Sequence, residues 1–209
     1  MKNKYIDIFV RLGAYSIVVL FAYHLFRLDA SGNVHNNLKF TEYSYTEVSQ
    51  EIIFLIASAI FFFTAVKFKD SRPIAILFGG FTMSAFFREC DFLTDSISSG
   101  FWEIPVAITI ITVFILSWKS RKNLTKSYYE YYNTKAFAYM ISGILVTFLF
   151  SRLFGKGDFW ETLMGDQYLR SVKNANEECV EALGDILILI SSVEYMIFKI
   201  QQKAAKLKS

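Results

Sequence analysis

The stretch RPIAILFGGFTMSAFFRECD, residues 72–91, joins an apolar run to a group of charged residues at its C-terminal end. None of the 15 residues between Arg72 and Arg88 carries a charge. Such a run is typical of a helix that crosses a membrane, whereas Arg88, Glu89 and Asp91 belong at the membrane surface or inside a bundle. The sequence therefore predicts a membrane-spanning helix with polar chemistry at one end.

Five further apolar stretches of similar length occur along the chain. The six predicted spans lie at about 6–27, 47–68, 72–91, 101–118, 135–154 and 178–199. The composition agrees, because 54% of the residues are hydrophobic, 18% are aromatic and only two are proline. We expect an all-α, polytopic membrane protein with a single integral membrane domain, 1–209, whose six transmembrane helices form three helical hairpins. Apolar residues near helical spacing at 158–173 predict a further short helix on the membrane surface.

The basic residues predict how the helices are oriented. In the six-helix arrangement, 15 of the 22 Lys and Arg residues fall on the side that holds both termini. Because basic loops stay in the cytoplasm, both termini are expected to be cytoplasmic. A compact multi-pass chain of this kind fits the plasma membrane, and the bacterial inner membrane in particular. Its basic cytoplasmic face is expected to contact anionic lipids of the bilayer.

The acidic residues have the opposite distribution. Fifteen of the 19 Asp and Glu residues fall on the outer side or in the outer half of a helix, where only seven basic residues lie. The outer face therefore carries a formal charge of about −8, which would concentrate cations there.

Several polar residues share one face of their helix, since positions three or four residues apart lie on the same side. Helix 47–68 carries Glu47, Glu51 and Ser58; helix 72–91 carries Ser84, Arg88 and Asp91, with Asp95 beyond it; helix 178–199 carries Glu178, Glu181 and Asp185. Ionisable groups below the interface are costly unless they face the bundle interior or water. These stripes predict an outward-facing site of acids and arginine between the three helices.

Arg88 is the expected centre of this site, because its planar guanidinium can hold two carboxylates. A surplus of carboxylates would bind protons, a hard divalent cation or a cationic solute. If a metal ion is held there, the expected ligands are Glu51, Asp91, Glu181 and Asp185. Two structural interpretations stay open. The charges could mark the edge of the hydrocarbon layer, or a closed network of arginine and acids could lock the helices together.

The remaining motifs favour a non-enzymatic function. The chain has two histidines and no HExxH, CxxC, GxSxG, P-loop or dinucleotide-binding pattern, and nothing in it indicates nucleic-acid binding. We therefore expect a protein that binds or passes a cation or a small solute, as a transporter would. The main alternative is a membrane-embedded, metal-dependent hydrolase or transferase that acts on lipid. A third is an interaction subunit, either of a homo-oligomer or of a complex with another membrane protein.

Cys90 and Cys179 are the two cysteines, and both lie at the predicted outer ends of helices. In an oxidising compartment they could form a disulfide between helices 72–91 and 178–199. Two buried free thiols are the alternative.

Overall fold

The structure is a computed structural model that describes residues 2–32, 40, 44–91 and 100–207. Within these ranges every regular element is a helix and no strand occurs, which confirms the all-α class. The helices are α1 (Lys2–Ala30), α2 (Tyr45–Lys67), α3 (Arg72–Glu89), α4 (Glu103–Lys119), α5 (Leu124–Tyr132), α6 (Lys135–Ile144), α7 (Ser151–Phe154), α8 (Gly157–Met164) and α9 (Arg170–Lys206). A π-helical segment, Leu145–Phe150, joins α6 to α7.

Three helical stretches of the described residues are long and apolar enough to cross a membrane: Tyr5–Ala30, Tyr45–Lys67 and Lys135–Phe154. A fourth candidate is the pair Glu103–Lys119 and Arg121–Tyr132, whose two helices are bent by 73° at the break between them. About 20 apolar residues of helix match the ~30 Å hydrocarbon layer at 1.5 Å per residue. The three or four candidate spans in this part of the chain agree with the predicted class of membrane protein.

The last helix is longer than the sequence predicts. Of the surface helix predicted at 158–173, α8 covers the first part, and the span predicted at 178–199 lies within α9, which runs unbroken through 37 residues. The short helix ends because Gly165 adopts a positive φ of 53°, a conformation that stops a helix. An ion pair between Lys173 and Glu177, four residues apart, supports the added N-terminal turns of α9.

The chain falls into two compact units. The first combines Met1–Ser49 with Ile144–Ile186, and the second combines Gln50–Gly143 with Leu187–Ser209. Both α2 and α9 therefore contribute residues to each unit. A single membrane domain made of both units stays a prediction from the sequence.

In the second unit, α3 packs closely against α2 and α4 at the pair Gly79-Gly80. A Cβ atom on Gly80 would lie 2.1 Å from Cγ2 of Val113 in α4, and one on Gly79 would lie 3.0 Å from the ring of Phe62 in α2. Ser58 Oγ donates a 2.9 Å hydrogen bond to the carbonyl oxygen of Gly79. Small residues and hydroxyl bonds of this kind are the usual means of packing helices inside a membrane, because lipid removes the hydrophobic drive between them.

In the first unit, the end of α1 caps the start of α2. Asp29 is fully buried, and its carboxylate accepts hydrogen bonds from the backbone N–H groups of Tyr45 at 2.9 Å and Thr46 at 2.8 Å. Ser44 Oγ adds a second cap by accepting a 3.2 Å hydrogen bond from the N–H of Glu47. These bonds satisfy backbone donors that would otherwise be unpaired at the helix start. Asp29 therefore has a structural role.

Candidate functional site

Two antiparallel helical stretches of the first unit face each other with a four-residue repeat. One stretch is the π-helical segment with α7 and the turn after it, and the other is the first half of α9. The facing pairs are Thr147 with Asp185, Ser151 with Glu181, and Gly155 with Glu177. Because four residues make about one helical turn, each pair lies one turn from the next. We call these three pairs the acid–hydroxyl ladder.

Hydroxyl groups contact two carboxylates of the ladder. Thr147 Oγ1 donates a 2.8 Å hydrogen bond to Asp185 Oδ1. Ser151 Oγ lies 3.1 Å from Glu181 Oε1 and 2.5 Å from the carbonyl oxygen of Thr147. A hydroxyl has one proton to donate, and the carbonyl oxygen of Thr147 can only accept, so Ser151 donates to one of these two oxygens at a time.

Burial increases along the ladder from Glu177 to Asp185. The side chains of Glu177 and Glu181 are 12% and 6% exposed, and Asp185 is 1% exposed. Thr147, which faces Asp185, lies about 10 Å before the end of the candidate span Lys135–Phe154 at 1.5 Å per residue. It also belongs to the π-helical segment. Such turns are rare in proteins, but those that occur are often found at functional sites. Asp185 is thus the deepest carboxylate of the ladder.

A half-exposed arginine neutralises the other end of the ladder. Arg152 Nη2 lies 2.9 Å from Glu181 Oε1, and Arg152 Nη1 donates to Glu177 Oε1 at 3.2 Å. Lys173 forms a second ion pair with Glu177. Gly155 leaves room for this arrangement, since a Cβ atom there would lie 2.3 Å from Cδ of Glu177. The ladder therefore changes from ion-paired carboxylates at Arg152 to a hydroxyl-bound carboxylate at its buried end.

The residues that the sequence predicts for the site divide between the two units. The first unit contains Glu47, Glu178, Glu181 and Asp185, and the second contains Glu51, Ser58, Ser84, Arg88 and Asp91. Of these residues, Glu181 and Asp185 lie on the ladder. Asp95 lies outside the described residues.

Within the second unit, the structure brings Glu51 and Asp91 together, since the charges of Glu89 and Asp91 both act on the carboxyl group of Glu51. Arg88 pairs with its neighbour Glu89, with 2.5 Å between Nη2 and Oε1. Ser58 serves helix packing through its bond to α3, and Glu51, Ser84 and Asp91 are half-buried. Arg88 as the centre of a site stays a prediction. In the first unit, the guanidinium that holds Glu181 belongs to Arg152.

Four residues of the ladder were missing from the predicted site: Thr147, Ser151, Gly155 and Glu177. Arg152, which binds the ladder, was missing as well. Their signal in the sequence is a spacing shared by two helices, because a threonine, a serine and a glycine recur every four residues on one and three acids do so on the other. Two small hydroxyls in an apolar span carry no charge that would mark them. They could be found only by comparing the spacing on both helices.

The predicted disulfide and metal ligands stay predictions. Cys90 and Cys179 are free thiols in the structure, the first buried and the second partly exposed. Within the described ranges, no group of three or more His, Cys, Asp or Glu side chains is arranged to hold a metal ion.

A second polar cluster surrounds Lys199 in the second unit. Lys199 is buried, and its Nζ lies 2.8 Å from Asp70 Oδ2, 3.0 Å from both carboxylate oxygens of Glu130 and 2.6 Å from Gln202 Oε1. Burial would raise the pKa of Asp70, but the hydrogen bond and the charge of Lys199 outweigh burial and hold that pKa below its usual value. We call these four residues the Lys199 cluster.

The contacts of the ladder define what it can do chemically. Its polar atoms are carboxylate, hydroxyl and carbonyl oxygens, which bind protons and hard cations rather than soft metals or anions. At its ion-paired end, Arg152 is half-exposed. No family model, curated protein or solved structure matches this chain.

Proposed function

We propose that the protein is a multi-pass plasma-membrane protein that binds or passes a cation or a small cationic solute at the acid–hydroxyl ladder. One observation carries this proposal. The carboxylate of Asp185 is 1% exposed and accepts a hydrogen bond from Thr147. This threonine belongs to the π-helical segment and lies about 10 Å inside a candidate span. Ionisable groups at such a depth are rare and usually belong to a pathway or a binding site.

The charges of the ladder favour a cationic occupant. The ladder contains three carboxylates, Glu177, Glu181 and Asp185, and the cationic side chains of Arg152 and Lys173 contact the first two. A proton or cation bound near Asp185 would stabilise the carboxylate that is most strongly desolvated. Successive carboxylates are four residues apart, which is about 6 Å along the axis of α9, a spacing that would let a small cation move from one to the next.

The proposed topology has six spans in three hairpins, both termini in the cytoplasm of a bacterial cell, and the ladder towards the outer side. The distribution of Lys and Arg supports this orientation, and the three or four candidate spans of the described residues support the class of membrane protein. Single cysteines at Asn123 and Asp166, in a chain with Cys90 and Cys179 replaced by serine, test it in spheroplasts. A membrane-impermeant maleimide should label Asp166→Cys at once and Asn123→Cys only after the membrane is opened. Labelling of Asn123→Cys in intact spheroplasts would contradict the proposed orientation.

The variant Asp185→Asn tests binding, because it removes a carboxylate charge and keeps the size of the side chain. The matched control is Asp166→Asn, the same change at an exposed acid between α8 and α9. We expect the melting temperature of the wild-type protein in detergent to rise on acidification or with one of a panel of cations: Na⁺, K⁺, Mg²⁺, Ca²⁺ and tetramethylammonium. Asp185→Asn should abolish that rise and remain folded, and the control should keep it.

Two outcomes separate the proposal from the structural interpretation. Loss of the cation response in a folded Asp185→Asn protein supports a binding site, and a matching loss of cation flux in reconstituted vesicles supports passage. If the wild-type protein responds to none of the panel and Asp185→Asn mainly lowers the melting temperature, the ladder is a closed structural network. A response that survives in Asp185→Asn would place the binding site elsewhere.

A further inference from the structure

Three residues of the Lys199 cluster, Lys199, Asp70 and Gln202, line a cavity of about 380 Å³ in the second unit. Five exposed lysines surround this cavity, and we call them the lysine rim. They are Lys67 at the end of α2, Lys69 in the turn to α3, Lys126 in α5, and Lys203 and Lys206 in α9. The volume falls within the range of roughly 300–1,000 Å³ that is usual for small-molecule sites.

The acids beside the cavity neutralise only part of the lysine rim. Asp70 and Glu130 both bind Lys199, so these three residues together carry a formal charge of −1. The rim lysines carry more positive charge than these acids supply. Ammonium groups that converge on one cavity repel each other, because charges closer than about 8 Å are poorly screened at physiological ionic strength. An anion in the cavity would relieve this repulsion.

The elements that supply the lysine rim are fixed to one another by Lys199. Its ammonium group binds Asp70 in the turn between α2 and α3, Glu130 in α5 and Gln202 in α9. Along α9, residues 199, 203 and 206 are four and three positions apart, so they share one face of the helix. Lys199, which is buried and ion-paired, therefore links the elements that carry the lysine rim, so the rim does not depend on a single loop.

We propose that the lysine rim binds a phosphate group, carried by a lipid headgroup or by a small soluble phosphate ester. Lysine ammonium groups are common phosphate ligands, and a phosphate monoester brings a charge of about −1.5 to −2 into the cavity. The cavity adjoins the C-terminal end of the candidate span Tyr45–Lys67, where lipid headgroups lie. The inference does not rest on the function proposed for the ladder, since every residue of the cavity belongs to the second unit.

Two double variants of the full-length protein test the proposal. Lys69→Gln with Lys126→Gln removes two rim charges, and Lys122→Gln with Lys135→Gln removes two exposed charges of the same unit outside the cavity. Binding of fluorescent short-chain phosphatidic acid is measured in detergent, with the phosphatidylcholine analogue as reference. We expect the rim variant to weaken phosphatidic acid binding about tenfold or more, and the control to change it less than about twofold. Melting temperatures confirm that both variants are folded.

Inorganic phosphate and glycerol phosphate, added as competitors, distinguish the two sources of the phosphate group. Competition that the rim variant weakens supports a soluble ester, and binding of phosphatidic acid that neither competitor displaces supports a lipid headgroup. Affinity that rises as the pH passes about 6, where a phosphate monoester gains its second charge, supports either source. An equal loss in both double variants, or no preference of the wild-type protein for phosphatidic acid over phosphatidylcholine, would overturn the proposal.

Discussion

The Lys199 cluster and the acid–hydroxyl ladder place opposite charges in the interior of their units. In the Lys199 cluster the buried group is a cation, and the two carboxylates that bind it are 21% and 43% exposed. In the ladder the buried groups are carboxylates, and the arginine that binds Glu181 is 46% exposed. Lys199 thus contacts two opposite charges and an amide, and Asp185 accepts a hydrogen bond from a threonine, which is neutral.

This difference separates a structural role from a binding role. When a buried ion is surrounded by opposite charges, removing one of these groups strongly destabilises the folded protein, because it leaves the other charges uncompensated. A buried carboxylate that is bound by a hydroxyl can be ionised, protonated or occupied by a cation with less change in its surroundings. We therefore expect substitutions in the Lys199 cluster to change stability and substitutions deep in the ladder to change the response to ligands.

The largest expected effect is that of Lys199→Met, which leaves Asp70 and Glu130 facing each other without the ammonium between them. Deletion of one partner of a buried ion pair typically costs about 3–5 kcal/mol of unfolding free energy. Because both acids are partly exposed and can be hydrated, the loss should fall at the lower end of that range. Unfolding in detergent measures it, with Lys122→Met as the exposed control. A loss of unfolding free energy no larger than that of the control would contradict the structural role of the Lys199 cluster, and with it the difference drawn between the two regions.

The fold class could be predicted because its cause is visible in the sequence. Runs without charge predict apolar helices, and the predictions at 47–68 and 72–91 agree with α2 and α3 to within about two residues. The start of α9 could not be predicted in the same way, because its first turns are polar and resemble a loop. These turns are helical through the pair of Lys173 and Glu177 and through the positive φ of Gly165, which ends the helix before them.

An intermediate effect is expected at the exposed end of the ladder, where Arg152→Gln removes the cation that binds Glu181. Because the arginine is 46% exposed, we expect a loss of about 1–2 kcal/mol, below the range for a fully buried pair. Arg170→Gln, a change at an exposed arginine at the start of α9, is the matched control.

A double-mutant cycle with Glu181→Gln makes this prediction specific. Adding Glu181→Gln to Arg152→Gln should recover part of the loss, since it removes the carboxylate that lost its partner. Contacting residues typically show coupling energies of about 0.5–3 kcal/mol in such cycles. Additive losses would mean that Arg152 and Glu181 do not interact in the folded protein.

The predicted residues Glu181 and Asp185 lie on the ladder, whereas Glu177 and the residues that face the three acids were not among those predicted. Helical phase indicates which residues share a face, and it places Glu181 and Asp185 on one face of α9. Phase carries no information about which faces meet, so it could not choose between Arg88 and Arg152 as the partner of Glu181. Both arginines come after an apolar run that contains phenylalanine. The run before Arg152 differs because its hydroxyl residues Thr147 and Ser151 have the same four-residue spacing as the acids.

The smallest expected effect depends on pH and concerns Asp70 in the Lys199 cluster. Lys199 holds the pKa of Asp70 below its usual value of 3.8, so the folded protein binds this proton less readily than the unfolded chain does. The resulting stabilisation is therefore fully present above pH 3.8 and is lost as the pH falls through the lower pKa of the folded state. Because the side chain is 43% exposed, we expect a contribution below about 1 kcal/mol. Unfolding of Asp70→Asn should show this deficit against the wild-type protein at neutral pH and none in strong acid, while Asp166→Asn should show no such convergence. A deficit that is the same at both pH values would mean that the charge of Asp70 does not stabilise Lys199, and that Glu130 and Gln202 alone compensate the buried cation.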